Sequence, residues 1–264
     1  MAYQKYKSRI YKTQAIVLKQ FALGEADRLL TLFSYDYGKI RVVARGVRRP
    51  ESRIGGHVEP LSYVSLLIAR GRNLDIISSV DTINSHSGLQ ADLPKMARSL
   101  VCAELIDVFT ADEESNPALF ELLLNTLDSI EAGEENKLLW YFTLHILRLV
   151  GYLPELQDCV VCRSKIQPNN HSFSPALGGV ICFTCVTTAS DRQMTPVWPV
   201  SVNALKVLRY FRDSPYSNIR RLQIEPGLLA ELERLLENNV RYILDREVKS
   251  TAFLSRIPQL PRLI

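Results

Sequence analysis

The chain has 264 residues, 47% of them hydrophobic, and a formal net charge of +4. This length suits one large domain or two to three small ones, and the apolar content is enough to bury a core. The first residues are polar and basic, unlike a secretory signal, and the longest apolar helical stretch, Leu138 to Val150, is too short to span a bilayer. We therefore expect a cytoplasmic protein that has no membrane contact.

Charge is distributed unevenly along the chain. Residues 1–80 carry 14 basic and 6 acidic residues, a net charge of +8, which leaves −4 for the remainder. A basic segment joined to a mildly acidic one suggests a polyanionic partner for the first and protein partners for the second.

The basic segment is predicted to form β-strands, because it contains five short runs of β-branched and aromatic residues separated by turn signals. The five runs are Tyr11–Lys19, Leu29–Tyr35, Lys39–Ala44, Leu61–Ala69 and Leu74–Ile83. Five such strands fit a small closed barrel. The OB-fold is the five-stranded barrel that commonly binds single-stranded nucleic acid. We therefore expect an OB-fold domain over residues 1–82.

An arginine-rich segment joins the third and fourth predicted strands. Its arginines are Arg45, Arg48, Arg49 and Arg53, placed among Gly46, Pro50 and a later glycine pair, so we expect an unpacked, flexible loop at the rim of the barrel. With Lys39 and Arg41 on the preceding strand, these arginines are predicted to contact nucleic-acid phosphates. The alternative is a solvated loop that only aids solubility. Phe21, Phe33, Tyr35, Tyr37 and Tyr63 could stack on bases, although we expect most of them in the core.

After residue 88 the apolar residues follow a helical period. The predicted helices are Leu93–Thr110, Pro117 to about Glu131, Lys137–Val150, Ser201–Asp213 and about Gly227–Val248. They define a helical domain over residues 88–155 and 196–250. Asn116 is predicted to cap the second helix, with proline at its first position, and Gly151 to end the third.

Two CxxC pairs, Cys159/Cys162 and Cys182/Cys185, are separated by 19 residues between the predicted helices. Four thiolates on two short knuckles can surround Zn²⁺ tetrahedrally, so we predict one structural zinc in a module over residues 156–195, inserted in the helical domain. Two disulfides would need an oxidising compartment, and a thioredoxin-type motif needs one CxxC beside a βαβ unit. All four ligand positions are filled, which leaves no open position for a catalytic water. The fifth cysteine, Cys102, lies in an apolar helical pattern, where a buried thiol is expected.

These motifs together resemble the RecO family of bacterial recombination mediators over nearly the whole chain. The matching segments are Ala15–Lys19, Gly24–Asp27, Ala44–Arg49, Leu149–Pro154, the two CxxC pairs with Gly178–Val180, and Val248–Ser250. Arg163 departs from the pattern, since the family often has glycine after the first knuckle. The resemblance implies an α+β multidomain protein with an N-terminal OB-fold barrel and a C-terminal α-helical domain that carries an inserted four-cysteine zinc module.

The resemblance also implies a role without a chemical step. Proteins of this family bind single- and double-stranded DNA, anneal complementary strands and, with the partner RecR, help RecA displace single-stranded-DNA-binding protein. The residues predicted above to contact nucleic acid would then contact DNA, in the cytoplasm at the bacterial nucleoid. Consistent with a non-enzymatic role, the sequence lacks a phosphate-binding Gly-Lys-Ser/Thr loop.

The family further implies that the helical domain engages the acidic C-terminal tail of single-stranded-DNA-binding protein. We expect an apolar cleft rimmed by cations for this tail. The candidate cations are Lys95, Arg98, Lys137, Arg148, Lys206 and Arg209. Two other functions stay open from the residues alone: an RNA-binding factor built from an OB-fold and a zinc ribbon, and an enzyme that uses the zinc segment as a scaffold.

Overall fold

The computed structural model describes residues 9–134, 136–169, 171–188 and 196–254, except for the side chains of Asn136 and residues 252–254. Contacts within the chain define two compact units. Unit 1 ends at Glu131, and unit 2 begins at Ala132. Among the described helices, none has the length and hydrophobicity that a membrane span requires.

Unit 1 begins with a closed five-stranded barrel. Its strands are β1 (Ile10–Leu23), β2 (Asp27–Ser34), β3 (Gly38–Ala44), β4 (Tyr63–Ala69) and β5 (Asp75–Asn84). They close in the order β1-β2-β3-β5-β4, and only the β3–β5 pair is parallel. Alternate residues point inward, so Ala15, Val17, Leu30, Leu32 and Val42 are each fully buried. The predicted OB-fold is confirmed.

The barrel closes through a short contact between β3 and β5, which pair only at Val42 with Asp75 and Val43 with Ile76. The start of β3 is instead paired with a later segment of unit 1, where the Glu113 N–H donates to the Lys39 carbonyl at 2.8 Å. Gly38 permits this approach. Its φ is +65°, and a Cβ atom built on it would lie 1.9 Å from the Glu114 carbonyl oxygen.

Three helices of unit 1 follow the barrel: α1 (Ser87–Gln90), α2 (Leu93–Phe109) and α3 (Pro117–Glu131). Phe120 of α3 lies against three barrel aromatics, with ring centroids 6.2 Å from Phe33, 5.5 Å from Tyr35 and 5.8 Å from Tyr63. Two of these contacts are edge-on, the arrangement that aromatic quadrupoles favour. The outer face of the barrel is therefore partly covered by its own helices.

Unit 2 combines helices with a small sheet. Its elements are α4 (Asn136–Leu149), β6 (His171–Ser174), β7 (Gly179–Ile181), α5 (Phe183–Thr188), β8 (Trp198–Val200), α6 (Val202–Asp213), α7 (Tyr216–Ile219), α8 (Pro226–Leu244) and α9 (Lys249–Leu254). The sheet has the order β7-β6-β8. Its core joins side chains of the sheet and the helices, among them Trp140, Phe173, Phe211 and Leu232.

Most predicted helices are found within one or two residues of their predicted ends, but the last is shorter. α8 ends at Leu244 rather than near Val248, because Asp245 adopts a left-handed conformation with φ +50°. This residue ends the helix in the way that glycine often does. The helices α1 to α3 belong to unit 1 with the barrel. Packing does not decide which segments fold alone, so the predicted domain boundaries stay a prediction.

The contact at Gly38 leads to a stability prediction. We expect Gly38→Ala to lower the free energy of unfolding by about 3 kcal/mol or more, because a left-handed non-glycine residue costs ~1–2 kcal/mol and overlap with a neighbour adds a further ~1–3 kcal/mol. Gly24→Ala is the matched control, since Gly24 has φ +62° but no atom within 4 Å of an added Cβ. Denaturant unfolding measures both losses. Equal losses would show that the contact between Gly38 and Glu114 does not constrain the fold.

Candidate nucleic-acid interface and metal site

The arginine segment between β3 and β4 is a series of consecutive turns. The Arg49 N–H donates to the Gly46 carbonyl at 3.1 Å, and the Ser52 N–H donates to the Arg49 carbonyl at 3.0 Å. Val47 is only 5% exposed and packs into the barrel core, which holds the backbone of the segment in place. The expectation of an unpacked loop is therefore wrong, because one apolar residue among the arginines is buried.

The arginine side chains themselves point to solvent. Arg45, Arg48, Arg49 and Arg53 are all exposed, and none forms an ion pair with a described residue. Arg48 also donates through Nη1 to the Gly24 carbonyl at 3.1 Å, which ties this segment to the β1–β2 turn. Unpaired guanidinium groups on a fixed backbone are suited to bind phosphate, because little order is lost when they do so.

The structure places Lys39 away from this cluster. Its side chain is only 9% exposed, and its Nζ donates to the carbonyls of Asp107 and Thr110, each at 2.7 Å. The Asp107 and Asp112 carboxylates lie 3.6 and 3.4 Å from the same atom. Lys39 thus satisfies carbonyls at the end of α2, and its ammonium is not accessible to a phosphate. This is a correction to the sequence-based expectation.

Arg41 has an intermediate position. Its side chain is 57% exposed, and its Nη2 lies 3.4 Å from Asp112 Oδ2. An exposed ion pair of this length is weak, so a stronger anion can replace Asp112. Arg41 is accessible to a phosphate, although it lies on β3 rather than in the arginine segment.

An open cavity of about 320 Å³ lies between the β1–β2 and β4–β5 turns of the barrel. Arg45 and Arg72 contribute cations to it, and Leu23, Leu74 and Ile76 contribute apolar surface. These two loops flank the ligand face of OB-folds. Arg72 is not among the contacts predicted from the sequence, because its run, Arg70-Gly71-Arg72-Asn73, indicates only a turn between the fourth and fifth predicted strands. The repeated arginines in that turn were the available signal.

Of the five candidate stacking aromatics, the structure leaves one largely open. Phe21 is 57% exposed near the end of β1, and it shares a face with Leu23 of the cavity. Phe33, Tyr35 and Tyr63 pack around Phe120, and the Tyr37 ring centroid lies 4.6 Å from that of Tyr11. The expectation that most of the five lie in the core is met only by Phe33, which is fully buried, because Tyr37 and Tyr63 are half-buried and Tyr35 is 38% exposed.

Several of the cations expected to rim a tail-binding cleft instead form hydrogen bonds with backbone carbonyls of the fold. The Lys95 Nζ donates to the Glu131 carbonyl, the Lys137 Nζ to the Arg220 and Leu222 carbonyls, and Arg209 to the Leu156 carbonyl. Arg98 is 5% exposed. Only Arg148 and Lys206 of the six are exposed. Long cationic side chains at helix ends commonly satisfy carbonyls in this way.

The four cysteines of the two CxxC pairs converge. The sulfur atoms of Cys159, Cys162, Cys182 and Cys185 all lie within 4.8 Å of one another, and the Cys162 and Cys182 sulfurs are 3.8 Å apart. Tetrahedral Zn–S bonds of about 2.3 Å place neighbouring sulfurs about 3.8 Å apart. These four residues could therefore hold one metal ion.

Backbone groups around the cluster orient the sulfurs. The Cys182 N–H donates to the Cys159 sulfur at 3.3 Å, and the Arg163 N–H closes the first knuckle on the Cys159 carbonyl at 2.9 Å. Arg163 does so with φ +62°, a left-handed conformation that glycine adopts most readily.

The chemistry of the cluster favours a cation. Hydrogen bonds from Ser164 lower the pKa of the Cys162 thiol to about 6, whereas burial and the neighbouring sulfurs raise the pKa of the Cys185 thiol. Four thiolates at this spacing repel one another, so full deprotonation requires a bound cation. Cys102 lies elsewhere, fully buried on α2, where burial raises the pKa of its thiol.

Comparison with known proteins covers both units. Residues 8–86 match the family model "Recombination protein O N terminal", and residues 90–252 match "Recombination protein O C terminal". The chain is similar to the DNA repair protein RecO of Dehalococcoides mccartyi strain CBDB1, with 38% identity over 252 residues, 95% of this chain and 97% of the relative. It is also 37% identical over 257 residues to the DNA repair protein RecO of Roseiflexus sp. strain RS-1, covering 97% of this chain and 89% of the relative.

Proposed function

Because the chain belongs to the RecO family of DNA repair proteins, we propose that it is a non-enzymatic recombination mediator. It binds single- and double-stranded DNA, anneals complementary strands and acts with RecR to load RecA onto single-stranded DNA coated by single-stranded-DNA-binding protein. The observation that carries this proposal is the match of both RecO family models, which leaves few residues unaccounted for. The alternative of an RNA-binding factor has no support from the comparisons.

The DNA contact that we propose is the exposed arginine segment on the barrel. Arg45, Arg48, Arg49 and Arg53 form its centre, Arg72 adds a cation from the adjacent turn, and Arg41 extends it along β3. Each phosphate that an arginine neutralises releases a condensed counterion, so affinity falls as salt rises. Lys39 is left out because its ammonium is buried against α2.

Annealing follows from the same surface. Two DNA strands repel each other through their phosphates, and a fixed set of guanidinium groups lowers this repulsion while leaving base edges free to pair. The cavity that Arg45 and Arg72 line and the exposed ring of Phe21 offer contacts to unpaired bases. None of these contacts requires a chemical step.

The partners follow from the family rather than from a mapped surface. We propose that RecR and the acidic C-terminal tail of single-stranded-DNA-binding protein bind this chain, with the tail on the helical domain, and that the protein works in the cytoplasm at the nucleoid. For the tail, Arg148 and Lys206 are the accessible cations among the six predicted ones.

We propose Zn²⁺ as the metal of the four-cysteine cluster, because Zn²⁺ favours tetrahedral thiolate sites. Cys159, Cys162, Cys182 and Cys185 would fill its coordination sphere, so its contribution is structural. Cys182 directly follows β7, and Cys185 lies in α5, so the metal would join the first knuckle to the sheet. A small module of this kind depends on its metal for much of its stability.

The zinc proposal predicts about one zinc ion per purified chain. Cys182→Ser should lose both the metal and the local fold, because zinc binding in small modules is worth about 10–16 kcal/mol, much of it folding energy. Cys102→Ala is the matched control and should keep its zinc, since Cys102 lies outside the cluster. Elemental analysis of protein purified without chelator measures the metal. Protein that contains no zinc, or a Cys182→Ser variant that keeps all of it, contradicts the proposal.

The DNA-contact proposal predicts the effect of removing the arginines. Changing Arg45, Arg48, Arg49 and Arg53 together to Ala should weaken single-stranded DNA binding and reduce the slope of log affinity against log salt by about 0.7 per lost contact. The fold should survive, because the four side chains are exposed. Lysine at all four positions is the control and should keep most of the slope. An unchanged affinity and slope in the alanine variant would show that the segment is a solvent-exposed loop that does not contact DNA.

A further inference from the structure

Unit 2 contains an open groove that the proposed function does not use. Its volume is about 610 Å³, within the range of ligand sites. Aromatic, amide and guanidinium groups line it together. They are Trp198, Tyr242, Asn238, Arg241 and Arg246, with Asp245 and Glu247 at the acidic side.

The groove is formed where the edge strand β8 packs against the end of α8. Asn238, Arg241, Tyr242 and Asp245 follow one another at helical spacing and share one face of that helix end. The left-handed conformation of Asp245, with φ +50°, ends the helix and returns Arg246 to the same groove. The conformation of Asp245 therefore brings side chains from the end of α8 and from the segment after it into the same groove.

The aromatic groups in this groove are accessible. Tyr242 is 48% exposed, and Trp198, although it packs on the core of unit 2, keeps part of its surface in solvent. Exposed aromatic rings beside arginines are a combination that proteins use to stack on unpaired bases. Asn238 adds an amide that can hydrogen bond to a base edge.

The charges in the groove limit how it can bind. Arg241 lies 3.8 Å from Glu247, and both side chains are mostly exposed, so this ion pair is weak and Arg241 can be recruited by another anion. The two arginines are offset by Asp245 and Glu247, so the groove has little net charge to attract a distant polyanion. A ligand held here must gain more from stacking than from charge.

We propose that this groove is a second contact for single-stranded DNA, separate from the arginine segment of the barrel. Unpaired bases stack on Trp198 and Tyr242, Asn238 contacts a base edge, and Arg241 and Arg246 contact the adjoining phosphates. Duplex DNA is excluded, because its bases are stacked within the helix and offer no free face. The inference rests on the proposed DNA-binding function and adds a site that distinguishes single strands from duplex.

Tryptophan fluorescence tests the site directly. The chain has 2 tryptophans, and Trp140 is 4% exposed, with its indole N–H buried and without a hydrogen-bond partner among the described residues. Trp140→Phe removes that unsatisfied donor and leaves Trp198 as the reporter. In the full-length Trp140→Phe chain, we expect a single-stranded thymidine oligonucleotide to quench the emission in a saturable way, and a blunt duplex of equal length to leave it unchanged.

Affinity measurements on variants provide the second test. Tyr242→Ala should weaken binding of the single-stranded oligonucleotide by about tenfold, since one stacked base contributes on this order. The slope against salt should not change, because no cation is lost. Trp198→Phe keeps a ring and should lose less. The control is Tyr210→Ala, which removes a tyrosine that is 40% exposed on α6 but does not line the groove.

The outcomes separate this inference from the proposed function. If the chain binds the oligonucleotide but Trp198 emission and the Tyr242→Ala affinity are unchanged, the groove is not a DNA site and the barrel alone binds. If the chain binds no DNA at all, the proposed function itself falls. If an acidic peptide ending in phenylalanine quenches Trp198 and the oligonucleotide does not, the groove is a peptide site and the inference is overturned.

Discussion

Closure of the five-stranded barrel is the constraint on which unit 1 depends. The inward positions are filled by apolar side chains such as Val17, Leu32 and Val42, so the interior of the barrel is a packed apolar core. The parallel contact between β3 and β5 covers only two residue pairs, at Val42 and Val43. The start of β3 therefore needs another partner on the edge that faces away from β2. The segment after α2 provides that pairing at Lys39. Any binding surface is therefore confined to the loops and to the outer face that the helices leave free.

This constraint sorts the cations by role. Lys39 lies where the barrel is paired and satisfies the carbonyls of Asp107 and Thr110. The arginines from Arg45 to Arg53 instead lie on turns that are anchored by the buried Val47 and by hydrogen bonds to the β1–β2 turn. Cations only a few positions apart in the chain therefore have different environments. Lys39 is packed inside the fold, and the arginines are exposed to solvent. In unit 2, the groove beside Trp198 carries cations matched by acids. The proposed barrel contact is dominated by charge, and the proposed groove contact by stacking, so the two should respond differently to salt.

Sequence patterns predict the parts of this structure that depend on neighbours in the chain. Short runs of β-branched and aromatic residues predict the five strands, Asn116-Pro117 predicts the start of α3, and the two CxxC pairs predict the sulfur cluster. The burial of Lys39 depends on Asp107 and Thr110, far along the chain, and no local pattern reports such a contact. The same holds for the groove, where β8 meets the end of α8. Val47 was the feature of the sequence that indicated a packed arginine segment. A valine flanked by polar and charged residues can leave solvent only by packing into the barrel core, as Val47 does.

The measurement that tests the mediator role most directly is strand annealing on DNA coated with single-stranded-DNA-binding protein. Complementary strands are mixed either naked or precoated, with this chain and RecR added, and duplex formation is followed over time. We expect the chain to accelerate annealing of both substrates, because a mediator must act where the binding protein blocks access. Acceleration on naked strands alone would reduce the chain to a DNA-binding protein and contradict the mediator role.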